Sequence, residues 1–448
     1  MRVAVVGGGI TGLAAAWEAA IDGQQVIVFD EKQFGGKIKT IRNNDFLIEN
    51  GPDSFVSYRP AMLKLIDEIG ASDQVIPTLG TRKVTIRAHG RMHPIPKGMN
   101  GVLPTKLVPF ITTGILSPTD KLRASLDLVL PRILNADDMS IGAFLRKRLG
   151  NGIASKFADP FIGGIYGASV DELSIDAVLP SLRVNEREYR SLMLAALAAG
   201  KTAKKHPPRS GSVFRTLKSG LEDLIDRLVT ELRNRGVTLA DHTPVVAVSE
   251  NFVRLADGTQ HEVDGVILAG GVASSATLLR PDYPEVAAIL DSIPTASTNV
   301  VTLSYDSSAF AGKMVSHGWL EADQAPVSGV TISSAKFPGR APDGVVLARA
   351  FVPDRVGKIA KASEHELTRA VIDHIAKVTH TSHQPNNVWV SRWSKVMPKY
   401  LVGHLDRVAG VEEGLAKTRL RVAGSALNGV GLPDCVKDGR KKMRELIG

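Results

Sequence analysis

Three glycines and one carboxylate set the first chemical expectation. Gly7, Gly9 and Gly12 form the spacing G-x-G-x-x-G, and Asp30 lies 18 residues after the last of them. Glycine permits a tight turn and lets backbone N–H groups and a helix N-terminus come close to a pyrophosphate. A carboxylate at the end of the next strand accepts hydrogen bonds from ribose hydroxyls. The implied chemistry is dinucleotide binding. A bare glycine triplet is often only a turn, so its flanks decide. Apolar Val3 to Val6 precede it, Leu13, Ala16, Trp17 and Ala20 recur behind it at helical spacing, and Asp22-Gly23 ends that helix. The β-branched run Val26-Ile27-Val28-Phe29 then leads into Asp30. Strand, glycine turn, helix and strand make a parallel βαβ unit.

Such a unit needs further strands and helices around it. Leu79 to His93 reads as strand and turn, Pro94 to Pro118 is punctuated by proline and glycine, and a mostly helical stretch follows to Ala199. Leu221, Leu224, Ile225, Leu228, Val229 and Leu232 mark one face of a helix stopped by Gly236. Val245 to Val248, a hairpin around Asp257-Gly258 and the apolar Val266 to Ala269 read as a return to the first sheet. Beyond Pro294 come strands at Val300 to Tyr305 and Gly344 to Phe351, a helix at Glu364 to Val378, and Leu420 to Ala423 running into another glycine turn. The expected fold is α/β, with two domains sharing the chain by interleaving. Residues 1–78, 211–290 and 389–448 would form the Rossmann-like dinucleotide-binding domain. Residues 79–95 and 291–388 would form a mixed-sheet substrate domain, and 96–210 a mostly helical insertion.

Composition narrows the class. At roughly 150 residues per domain, 448 residues leave room for two or three. The one cysteine, Cys435, forbids an intrachain disulfide and a cysteine-based metal site, which suits a reducing, cytoplasmic setting. The start has no signal-peptide pattern, and no apolar run approaches the roughly 20 residues of a membrane span. A net charge of +9 could attract nucleic acid, yet the basic clusters Arg146-Lys147-Arg148, Lys201 to Lys205 and Arg440 to Arg444 lack interleaved aromatics for stacking bases. They read as solvated surface, and no nucleic-acid partner is expected. His89 and His93 are spaced for a metal only on a helix, which Gly90 and Pro94 oppose, so no metal is expected.

A second glycine pair, Gly35-Gly36-Lys37, follows the acidic strand end. It resembles the FAD amine oxidase superfamily, where such a pair sits by the FAD phosphates and ribityl chain. The sequence departs from that pattern twice: Asp30 replaces the usual Glu, and Gln33 takes the place of an arginine in a loop one residue shorter. Further segments resemble the bacterial soluble-type coproporphyrinogen III/protoporphyrinogen oxidases of haem synthesis along the whole chain. They are Gly51 to Phe55, Met92 to Gly98, Leu103 to Lys106, Gly163 to Gly167 with Leu173-Ser174, Trp393 with Met397 to Tyr400 and Gly403-His404, and Gly424 to Gly439. The last is the most specific, and its own residues describe a strand-to-helix glycine turn with Asp434 placed to cap the terminal helix.

The resemblance implies FAD contacts from Gly7, Gly8, Gly9, Ile10, Thr11 and Gly12, from Asp30 and Glu31, and from Gly36 and Lys37. It implies more from Gly51, Pro52, Asp53 and Ser54, from Val245 through its backbone, from Trp393, and from Val430, Gly431 and Leu432. For Val245 and Trp393, core packing is the competing reading. The implied activity is a six-electron oxidation of a porphyrinogen, with dioxygen reoxidising the flavin to give hydrogen peroxide. The cofactor carries the chemistry, so no catalytic triad or acid–base pair is required, and none is legible. The four propionates of coproporphyrinogen, against two on protoporphyrinogen, favour a basic pocket rim. Arg82 is the best candidate, with Lys83 beside it, while Gly164 and Tyr166 are expected in the pocket wall.

Leu107, Phe110, Ile111, Ile115 and Leu116 lie in a segment related to one that docks membranes in mitochondrial relatives. Core packing is the expectation for them here, with peripheral attachment left open. Oligomeric state, monomer or dimer, and contact with a ferrochelatase are open as well. Two rival readings stand beside the oxidase. Another flavin amine oxidase would want an aromatic cage for a cationic substrate, which an aromatic content of 5% opposes. A flavin-bearing porphyrin-binding protein would hold a flavin that substrate cannot reduce.

Overall fold

Strand Arg2–Val6 is buried on both faces, a composition that suits the centre of a parallel sheet covered by helices on either side. Val3 and Val5 face one core and Ala4 the other, as the two-residue period of a strand requires. The computed structural model describes residues 1–80, 84–100, 102–134, 137–205, 212–310 and 316–448. The chain divides into two compact units.

The first unit comprises Met1–Thr78, Ser212–Pro294 and Asp406–Gly448. Its five parallel strands run in the order Thr238–Ala240, Gln25–Phe29, Arg2–Val6, Gly265–Leu268 and Leu420–Val422. On one face the N-terminal helix Ile10–Ile21, the helix Glu222–Asn234 and the C-terminal helix Leu432–Ile447 bury Leu13, Trp17, Leu224, Leu228, Val436 and Met443. On the other, Val272–Leu279 and Pro284–Asp291 cover Ile27, Val266 and Leu268. Val266 to Leu268 does return to the first sheet, but Val245–Val248 and the hairpin do not. They form a separate antiparallel sheet of Val245–Val248, Phe252–Leu255 and Gln260–Glu262. Val246 is 54% exposed, so this segment presents a wet face that a doubly covered parallel sheet cannot accept. The edge place beside Gln25–Phe29 goes to Thr238–Ala240 instead.

The second unit comprises Leu79–Gly211 and Thr295–Leu405. Its mixed seven-stranded sheet has the order Asn387–Pro398, Thr295–Asp306, Val345–Pro353, Gly329–Ile332, Gly318–Glu321, Val84–Ala88 and Arg91–Pro94. Residues 389–405, grouped above with the dinucleotide-binding segments, fall here because Asn387–Pro398 pairs along nearly all of Thr295–Asp306. Helix Glu364–Thr379 packs Leu367, Val371 and Ile375 onto the sheet. The helical stretch after Pro104 shares a core with the sheet: Phe144, Leu145, Phe157 and Leu192 cluster with Ile86 and Ala88. That stretch includes a ten-residue π-helix, Ala154–Gly163, with Pro160 inside it. Phe110, Ile115 and Leu116 are buried as expected, but Leu107 and Ile111 are exposed, because the short helix Leu107–Thr112 turns only one side inward.

Candidate functional site

The first glycine turn is built by exclusion. At Gly7, φ is 112°, and a Cβ would sit 2.7 Å from the backbone carbon of Ala269. At Gly12 a Cβ would lie 1.9 Å from the Gly7 carbonyl oxygen, so helix and strand approach as only glycine allows. Gly9 differs. It is the N-cap residue of helix Ile10–Ile21, with extended backbone, and a Cβ there would meet no atom within 4 Å. No side chain caps this helix and no acidic residue occupies its first turn. Open space in front of uncapped N–H groups fits a pyrophosphate, both by hydrogen bonding and by the helix dipole.

Asp30 is already engaged: one carboxylate oxygen accepts from the Gly8 N–H at 2.6 Å and the other from the Lys32 N–H at 2.8 Å. A carboxylate has about four lone-pair sites, which leaves capacity for ribose hydroxyls. Glu31 beside it is exposed and pairs with Lys32 at 3.4 Å. Val245 begins its strand half-buried.

The second glycine pair lies on the first turn. Gly35 donates to the Gly8 carbonyl at 2.9 Å, and a Cβ on Gly36 would stand 3.3 Å from the Gly9 Cα. Lys37 then reaches Ser425 Oγ at 3.4 Å. Burial lowers the ordinary lysine pKa of its ammonium, and Cys435 opposes that shift. Gly51, Pro52, Asp53 and Ser54 are half-buried, with Ser54 Oγ donating to Asp53 at 2.7 Å.

The closing motif joins the same place from the other end of the chain. The N–H of Gly424 donates to Asp438 at 2.7 Å, and a Cβ on Gly424 would stand 2.9 Å from Thr11 Oγ1. Farther along, a Cβ on Gly439 would lie 2.2 Å from the Thr11 carbonyl oxygen. Two helices distant in sequence therefore cross in near backbone contact. Helix Leu432–Ile447 begins at Gly431 with Val430 just before it, and no side chain caps it. Asp434 does not take the capping role expected of it. Its carboxylate pairs with the Arg59 guanidinium, which out-competes a neutral backbone N–H. Burial raises the Asp434 pKa despite Arg59, and burial does the same to Asp438.

The polar network behind this site was not foreseen. Arg440 donates to Glu18 and, at 2.8 Å, to Glu68, which also accepts from Trp17 Nε1 at 2.8 Å. The only sequence signal is Glu18 on the apolar N-terminal helix.

In the second unit, Arg82 and Lys83 lie outside the described residues. Gly164 and Tyr166 follow the π-helix directly. Gly164 has open space at its Cβ position, while the Tyr166 ring stands 5.5 Å from Tyr400, which stacks on His404 at 3.9 Å. Trp393 is half-buried in strand Asn387–Pro398, opposite Thr298. It belongs to the second unit, apart in sequence and unit from the other proposed flavin contacts. His89 and His93 each hold a backbone carbonyl, those of Ile115 at 3.2 Å and Ala88 at 3.1 Å.

Comparison with known proteins adds a family. The sequence model described as "Flavin containing amine oxidoreductase" matches residues 10–447. The chain is similar to the coproporphyrinogen III oxidase of Propionibacterium freudenreichii subsp. freudenreichii, 52% identical over 100% of this chain and 90% of that protein. It is 28% identical to the coproporphyrinogen III oxidase of Bacillus subtilis (strain 168), over 100% and 98%. A solved structure from Exiguobacterium sp. 255-15 superimposes with a TM-score of 0.86 at 30% identity, covering 100% of this chain and 99% of that one.

Proposed function

The chain belongs to the flavin-containing amine oxidoreductase family, and on that premise we propose that it is an FAD-dependent oxidase converting coproporphyrinogen III to coproporphyrin III. The observation that carries this reading is the likeness, along the entire chain, to a protein named for that reaction. Protoporphyrinogen IX is the slower, alternative substrate. Bound FAD supplies the two-electron chemistry, so that one coproporphyrinogen III and three dioxygen give one coproporphyrin III and three hydrogen peroxide.

The chain's own residues bind and orient. Gly7, Gly8, Gly9, Ile10, Thr11 and Gly12 offer the pyrophosphate an uncapped helix N-terminus. Asp30 takes the ribose, with Glu31 beside it, and Val245 takes the adenine through its backbone. Gly36 and Lys37, with Gly51, Pro52, Asp53 and Ser54, hold the phosphates and ribityl chain. Val430, Gly431 and Leu432 present backbone N–H groups to the flavin's pyrimidine edge, from another uncapped helix start. Trp393 is a flavin contact by the same family resemblance. Gly164 and Tyr166 form pocket wall, and Arg82 with Lys83 a basic rim for propionates.

A visible spectrum followed by porphyrinogen addition in air tests cofactor and substrate together. The expected result is a yellow protein that forms fluorescent coproporphyrin faster than protoporphyrin, with three peroxides per ring. A yellow protein inert to both porphyrinogens, in air and anaerobically, would overturn the reading.

Among the described residues no helix is long and apolar enough to cross a membrane. A cytoplasmic location with peripheral attachment belongs to the same proposal, supported by the exposure of Val108 (72%), Ile111 (58%), Leu122 (69%) and Val129 (71%). Flotation with anionic vesicles, lost in Val108→Asp/Ile111→Asp, is the expected result. Hand-over of product to a ferrochelatase is tested by co-sedimentation of the two proteins.

A further inference from the structure

Arg355 sits in the short turn Asp354–Val356, between strand Val345–Pro353 and Gly357, where φ is 94°. The turn is anchored by Asp354, which accepts from the Ser297 N–H at 2.7 Å. The Arg355 side chain is 21% exposed. Its Nη1 donates to Asp159 at 2.5 Å, and Asp159 also accepts from the Val170 N–H at 3.1 Å. Among the described residues that is the guanidinium's one polar partner. Its Nε is shut off from solvent with no acceptor.

A guanidinium carries five N–H donors, and the parallel pair on Nε and Nη2 is the edge that takes a carboxylate in two-pronged fashion. An arginine kept only to pin Asp159 would be expected to use that fork on its partner. Here the contact is single, through Nη1; Nε is closed off, and Nη2 is the nitrogen left with neither partner nor burial. A charged donor without a partner gains from an acceptor, and Nη2, unlike Nε, is open to one supplied from outside the chain.

The neighbourhood says where that acceptor arrives. A Cβ on Gly163 would lie 3.2 Å from Arg355 Cζ, so the guanidinium lies against the last residue of the π-helix. The next residue, Gly164, has open space. Long π-helices are rare and gather at functional sites. Asp159 lies on this same π-helix and Tyr166 just beyond it.

We infer that Arg355 is a specificity-determining residue that binds one propionate carboxylate of the porphyrinogen. This rests on the reading above that Gly164 and Tyr166 line the porphyrinogen pocket. Asp159 occupies Nη1 alone and leaves Nη2 for substrate. A four-carboxylate ring offers more acceptors to that donor than a two-carboxylate ring, so the preference for coproporphyrinogen depends on it.

The test compares Arg355→Met, Arg355→Lys and Asp159→Asn in the flavin-loaded protein, with KM and kcat measured on both porphyrinogens. Losing a charge-assisted hydrogen bond is expected to raise the coproporphyrinogen III KM of Arg355→Met about 10- to 100-fold. The protoporphyrinogen IX value should move less, kcat should be little changed, and the flavin spectrum retained. Arg355→Lys, which keeps the charge without the fork, should fall between. Asp159→Asn keeps the guanidinium and removes its competing carboxylate, so its coproporphyrinogen KM should equal or fall below that of the parent.

An unchanged coproporphyrinogen KM in both Arg355 variants overturns the inference. So does an Asp159→Asn defect that copies Arg355→Met, because that pattern means the ion pair merely holds the π-helix. If the parent protein neither oxidises a porphyrinogen nor binds coproporphyrin III in a fluorescence titration, the oxidase reading fails and the Arg355 assignment fails with it. A fully active parent with unaffected Arg355 variants removes Arg355 alone.

Discussion

Gly9→Val separates folding from cofactor binding at a single position. A side chain on Gly9 would meet no protein atom within 4 Å, and its backbone (φ −73°, ψ 176°) is open to any residue. The apoprotein therefore loses only the N-cap preference of Gly over Val, about 1 kcal/mol. In a chain with units of this size that is roughly 2–4 °C in Tm. The valine instead fills the space where a pyrophosphate would lie. Loss of two charge-assisted amide hydrogen bonds at about 2 kcal/mol each corresponds to a factor of roughly 1,000 in Kd for FAD. Gly12→Ala is the contrasting control, because its Cβ would lie 1.9 Å from the Gly7 carbonyl oxygen. Overpacking of that kind costs about 1–3 kcal/mol or more and appears in the apoprotein itself. The assays are thermal melts of the two apoproteins and an FAD titration followed by flavin fluorescence. Melts must be compared without FAD, since bound ligand raises Tm by mass action. A Gly9→Val protein that binds FAD within about threefold of the parent would refute the cradle, and so would an apoprotein as destabilised as Gly12→Ala.

Other consequences follow from the same unit. Arg440→Met removes the cation that Glu18 and Glu68 share, leaving Glu18 with Arg444 and Glu68 with Lys64, and the expected loss is about 2 kcal/mol of stability in a denaturant titration, against near-neutrality if the network is ornamental. Burial raises the Asp438 pKa in the folded protein, so its favourable contribution is full at acid pH and is lost as pH rises through the raised value. Asp438→Asn exchanges an acceptor of the Gly424 and Asn428 bonds for an NH2 group, an effect that does not depend on pH, so its stability relative to the parent should rise from acid to neutral pH; parallel pH profiles would contradict the assignment. Burial pushes the Cys435 thiol up to about 11, so a thiol reagent at mildly alkaline pH should label it only after unfolding, and rapid native labelling would show the site to be open.

The glycine turn, its strand–helix–strand frame and the acidic strand end were legible because each is a local pattern: glycines where a Cβ cannot fit, apolar residues at a strand or helical period, a carboxylate at a strand end. Helix Glu222–Asn234 and strand Gly265–Leu268 were legible on the same grounds. Sheet membership was not. Val245–Val248 has the composition of an interior strand, yet it pairs with Phe252–Leu255 in another sheet, since strand neighbours are chosen by partners far along the chain. Asn387–Pro398 joined the second unit for the same reason.

Charge partners were the least legible part of all. Asp434 had the spacing of a helix cap and became the partner of Arg59, 375 residues away. Arg355 and Asp159 lie 196 residues apart and carry no motif that would pair them. By itself the sequence determined what short-range sterics and periodicity can encode: a dinucleotide turn, the helices and strands around it, and an ordered series of family motifs. Only the tertiary structure decided which distant strands share a sheet, which ions meet, and which donors are left for a ligand. Those outcomes depend on desolvation and geometry between segments that no local pattern relates.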